Sequence, residues 1–81
     1  MSADEAYVYS LTRNGEPLHY GTTNDPARRL GEHITTFGPN VEMEVLSGPH
    51  LEPIAVQMQN LLIDAYEALN GARPIGNRIR N

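Results

Sequence analysis

The chain has 81 residues, 40% hydrophobic and 20% charged, with a net charge of −4 at neutral pH. A chain of this length makes one small domain and leaves no room for two ordinary ones. Cysteine is absent and no apolar run is long enough to span a membrane, which excludes disulfides, thiolate metal sites and a membrane helix, while the net acid argues against a protein that coats nucleic acid by bulk charge and leaves room for a local basic site.

Residues 6–12, Ala-Tyr-Val-Tyr-Ser-Leu-Thr, are rich in aromatic and β-branched side chains and read as a strand. Asn14-Gly15 accepts positive φ at both central positions of a type I′ turn, which marks a hairpin returning along Pro17 to Thr22. Gly21 near its end signals a close backbone approach or a bend. Asp25 can cap the free amides of a helix, and Pro26 suits its first position. That helix should run to about Thr35, with Ala27, Leu30 and Ile34 as its apolar stripe. Arg29 and His33, four residues apart, share a face beside the stripe. Residues 41–46 alternate apolar and acidic, which predicts a strand with Val41, Met43 and Val45 inward and Glu42 and Glu44 solvated. Ser47-Gly48-Pro49 reads as a turn. From Pro53 to about Leu69, the apolar residues Ile54, Met58, Leu61, Leu62, Ala65 and Leu69 recur at helical spacing and read as core rather than as a partner groove. Asn70-Gly71 ends this helix, and Pro74 blocks its continuation. The order hairpin, helix, strand, helix predicts an α+β domain over residues 1–81, a small three-stranded antiparallel sheet flanked by helices.

Charge is distributed unevenly. All six basic residues are Arg, a side chain that grips phosphate in a planar fork. Residues 1–69 hold all ten acids against three Arg, whereas residues 70–81 hold Arg73, Arg78 and Arg80 and no acid. The histidines His19, His33 and His50 lack a zinc-ligand spacing. The acidic start, Met-Ser-Ala-Asp-Glu, is unlike a secretory leader, so the expected setting is cytoplasmic, without a membrane.

Tyr9, His19, Tyr20, Arg29 and His33 are polar groups placed on three elements. A tyrosine or histidine can move a proton, and an arginine can hold a phosphate. The stretch Tyr7-Val8-Tyr9, followed after about ten residues by His19-Tyr20-Gly21-Thr22-Thr23-Asn24-Asp25-Pro26-Ala27-Arg28-Arg29-Leu30-Gly31-Glu32-His33, resembles the GIY-YIG nuclease family. The resemblance is close over residues 7–33 and continues in phase through residues 41–81. It implies an endonuclease domain, a hydrolase that cuts DNA phosphodiester bonds with one divalent cation, Mg²⁺ or Mn²⁺. On this sequence Tyr9 matches the first motif's Tyr, a general base for an attacking water. Arg29 matches the Arg that holds the scissile phosphate, and His33 the His that supports base or phosphate. Gly21 matches the second motif's Gly, and Asn77 the Asn near the C-terminus, with Asn70 as the runner-up. Two positions depart. His19 stands where the second motif has Tyr, a swap that keeps proton exchange. Gln59, in Ala55-Val56-Gln57-Met58-Gln59-Asn60-Leu61-Leu62-Ile63, stands where the family has its metal-binding Glu. A neutral amide holds a hard cation weakly, so the chain as written reads as weak or inactive, with Glu at this position in an active form.

The expected partner is DNA, contacted by Arg28, Arg29, Arg73, Arg78 and Arg80, with target specificity left to a protein partner. Two alternatives share the scaffold: a nucleic-acid-binding module without catalysis, and a protein-interaction domain whose acidic body suits a basic partner.

Overall fold

Aromatic and β-branched density makes a strand, β1, of Glu5–Arg13. It turns at Asn14 and Gly15, whose φ values of 54° and 80° are those a type I′ turn demands, into β2, Glu16–Thr23. Helix α1 spans Pro26–Phe37; the Asp25 side chain accepts from the Arg28 amide, and Pro26 opens the first turn. Strand β3, Val41–Leu51, leads directly into α2, Glu52–Asn70, which ends at a left-handed Gly71. A 3-10 turn at Ile75–Asn77 closes the described segment, residues 5–77. The computed structural model is therefore α+β: three antiparallel strands in the order β2-β1-β3 with two helices. Arg78 and Arg80 lie outside the described residues.

Strand alternation sends β1 side chains to two different helices. Ala6 and Val8 pack with Ala55, Met58 and Leu62 of α2. Leu11 joins Leu18 and Val41, covered by Leu30 and Phe37 of α1 and by Met43. Tyr9 faces the same way as Leu11 and meets His33 of α1, whereas Tyr20 of β2 meets Tyr66 of α2. The sheet is thus a septum, with α1 on one face and α2 on the other.

Three sequence expectations need correction. Ser47-Gly48-Pro49 lies within β3 rather than ending it, because the strand absorbs extra residues as bulges opposite Ala6, Val8 and Tyr9 and goes on to pair with Glu5. On α1 the side chain that turns inward is His33, accompanied by Leu30 and Phe37, while Ala27 and Ile34 are exposed. On β3 and α2 the apolar residues are only partly core. Val45, Ile54, Leu61 and Leu69 are exposed, and the inward face of α2 centres on Ala55 and Ile63.

Candidate functional site

Tyr9, His19, Arg29 and His33 come together on the α1 face of the sheet. Tyr9 is fully buried, and its hydroxyl and His33 Nε2 are hydrogen-bonded at 2.7 Å. The His19 ring stacks obliquely with both, at centroid distances of 5.8 Å to Tyr9 and 4.9 Å to His33. Register explains the approach: Tyr9 pairs with Gly21, and Leu11 with His19. A Cβ on Gly21 would fall on the Tyr9 hydroxyl and close on His19 Nε2, so only glycine lets the tyrosine cross β2.

Arg29 sits at the rim. Its Nη1 donates to Glu32 Oε1 at 2.6 Å, one turn along α1, while Arg28 approaches Asp25 and Glu32 at 3.7 and 3.5 Å. Two hollows open beside it. One, of about 150 Å³, is lined by His19, Arg29, Glu32, His33, Thr36, Phe37 and Gly76. The other, of about 340 Å³, lies at the end of the sheet, where Arg28 and Arg29 face Thr22, Thr23 and Asn24, with Glu5 and Glu52.

Burial and the guanidinium set the proton chemistry. Burial lowers the His19 pKa to about 4, assisted by His33 and Arg29 and opposed by the Gly76 backbone. His33 is lowered for the same first reason, then by Arg29, and opposed by Glu32. Both imidazoles are therefore neutral at neutral pH, so His33 Nε2 can accept the Tyr9 proton. Burial raises the Tyr9 pKa, against the lowering effect of Arg29, and keeps the phenol protonated. Among the described residues, His19 Nδ1 is a buried polar atom without a hydrogen-bond partner. The charged and basic groups that line the smaller hollow are thus one ion pair, Arg29 with Glu32, and two neutral imidazoles. Tyr9, expected to meet an attacking water, has no solvent-exposed surface and holds His33 in place instead.

The remaining expected residues lie elsewhere. Asn77 uses both ends of its amide on β2: Oδ1 accepts from the Tyr20 N–H at 2.8 Å, and Nδ2 donates to the Tyr20 carbonyl at 2.9 Å. Asn70 donates to the Tyr66 carbonyl at the end of α2. Gln59 is half-buried on α2, one turn from both Ala55 and Ile63, on the helix that covers the other face of the sheet, and it lines neither hollow beside Arg29. The carboxylate that α2 brings to Arg29 is Glu52. Arg73 is exposed in the loop after α2 and lines neither hollow. Comparison with protein-family models, curated proteins and solved structures gave no match.

The residues present do not fit a divalent cation. Gln59 carries no charge and stands apart from Arg29, and among the described residues no group of three or more His, Asp or Glu side chains is arranged to hold a metal ion. Glu32 and Glu52 escaped sequence reasoning. Glu32 was legible as the acid three residues after Arg29, whereas Glu52 reaches the site only because α2 starts where β3 ends.

Proposed function

We propose that this domain acts on the phosphodiester backbone of DNA, as an endonuclease domain of the GIY-YIG type. The observation that carries the reading is that Arg29 and His19 line one hollow. Arg29 exchanges Glu32 for a phosphate oxygen, a planar fork meeting an anion of matching shape. His19, neutral at neutral pH, takes the proton of a water positioned against that phosphate. Tyr9 and His33 hold the ring environment and act as positioning residues. The setting is cytoplasmic, where no membrane segment is needed; among the described residues no helix is long and apolar enough to cross one.

A second reading, a binding module without cleavage, is favoured by one observation, the neutral Gln59 on the far helix. Plasmid nicking and DNA binding by this chain, Arg29→Ala and Gln59→Glu, with Mg²⁺ or Mn²⁺, test both. Binding and nicking by this chain, both abolished by Arg29→Ala, support the nuclease reading. Binding lost in Arg29→Ala but no nicking by either other protein establishes the binding module. Binding unaffected by Arg29→Ala overturns both.

A further inference from the structure

The face of the domain remote from Arg29 is incompletely covered. Strands lie about 4.8 Å apart, and a helix is about 10 Å across, so one helix covers about two strands of a three-stranded sheet. Here α2 lies mainly over β1 and β2 and covers the outer strand β3 less completely on that face. The trough between them, about 390 Å³, is lined by Val8, Leu46, Ser47, Met58, Leu61 and Leu62. Leu46 is 42% exposed and Leu61 68%, both high for leucine.

The two elements that form the walls of the trough, β3 and α2, carry charge of one sign. Residues 41–70, which form β3 and α2, hold Glu42, Glu44, Glu52, Asp64 and Glu67 and no Lys or Arg. Glu42 and Glu44 are exposed, and they alternate with the inward Val41 and Met43, so they stand on the trough side of β3. We propose that this trough docks an amphipathic helix of another polypeptide, apolar on one face and flanked by Lys or Arg. Its apolar face fills the space between Leu46 and Leu61, and its cations lie over Glu42 and Glu44. A second copy of this chain is disfavoured, because two such troughs would set acid against acid. An added strand along β3 is disfavoured by the two bulges, which break the regular edge.

Two synthetic peptides of 18 residues test this, sharing one Leu face and differing only in flanks of Lys or of Glu. Binding to the whole chain is followed by fluorescence anisotropy at low and high salt. The Lys peptide should bind at least tenfold more tightly than the Glu peptide and weaken with salt. Leu61→Asp, at an exposed position, should lower its affinity at least tenfold with an unchanged circular dichroism spectrum. Glu42→Lys with Glu44→Lys should reverse the peptide preference. Equal binding of the two peptides, binding that survives Leu61→Asp, or no binding of the Lys peptide would overturn the proposal. So would a concentration-dependent dimer abolished by Leu61→Asp in sedimentation, which would assign the trough to a second copy.

Discussion

At the scale of single residues, the cluster depends on one missing side chain. Gly21 leaves the space that the Tyr9 hydroxyl and His19 ring occupy, and the nearest atoms belong to a fully buried ring that cannot move aside. Gly21→Ala should therefore cost about 1–3 kcal/mol, the range for overpacking a filled core, read as a lower denaturant midpoint with an unchanged slope. An unshifted midpoint would mean that Tyr9 has room to retreat. His19 makes a second prediction. Tyr9 of β1 and His33 and Arg29 of α1 surround it, with Glu32 beyond, and its pKa falls to about 4 in the folded protein. The unfolded chain protonates this residue near the ordinary value of about 6.5. The stabilisation is thus fully present above about pH 6.5 and is lost as pH falls to about 4; His33, also lowered, adds in the same direction. Over that window the loss from His19 alone is up to about 3 kcal/mol. Melting temperatures from pH 7.5 to 4.5 should fall more steeply for this chain than for His19→Gln. Parallel curves would show that the imidazole is not held neutral by its surroundings.

At the scale of elements, α1 both builds the site and blocks it. Arg29 and Glu32 are three residues apart, and the pair is partly exposed, so it adds little to stability. Its effect is on occupancy, because Glu32 holds the fork that a phosphate would take. Glu32→Gln should raise affinity for a short DNA duplex several-fold with little change in melting temperature, and reduced affinity would show that Glu32 orients Arg29 instead. The 3-10 turn is fastened differently. Asn77→Ala removes two hydrogen bonds to the backbone of Tyr20 and should cost about 1–3 kcal/mol, measured by denaturant unfolding. The elements themselves were legible in the sequence because their signals are local: Asn14-Gly15 for the hairpin, Asp25-Pro26 for the start of α1, and Asn70-Gly71 for the end of α2. The meeting of Tyr9, His19, Arg29 and His33 was legible through the motif spacing. The burial of Tyr9 was not, nor the place of Gln59, because both depend on which face of the sheet each helix covers. Periodicity marks an apolar stripe on α2 without saying how much of it a three-stranded sheet can bury, so Leu61 and Leu69 read as core and are exposed.

At the scale of the whole molecule, the sheet separates two electrostatic surfaces. Arg28 and Arg29 stand with the hollows of the α1 side, where Asp25, Glu32 and Glu52 lie beside them, while residues 41–70 hold five acids and no Lys or Arg in sequence. On the proposed reading, a DNA duplex approaching the second surface would meet like charge, so the α1 side is the face proposed to meet the backbone. That side offers few phosphate contacts. The domain measures 38 × 28 × 22 Å, and each neutralised phosphate contributes about −0.9 to the slope of log affinity against log salt. Two or three contacts give a slope of about −2 to −3, far shallower than that of a protein clad in basic residues. Arg29→Ala should lower the affinity and make the slope shallower by about one, since one phosphate contact is removed. Glu42→Lys with Glu44→Lys should behave in the opposite way. It creates cations on the remote face, so it should steepen the slope while lowering any nicking rate per bound complex, because the added binding does not deliver DNA to Arg29. Titrations of one duplex at several salt concentrations distinguish the cases. If Arg29→Ala leaves both affinity and slope untouched, the phosphate is held elsewhere and the α1 side is not the face that meets DNA.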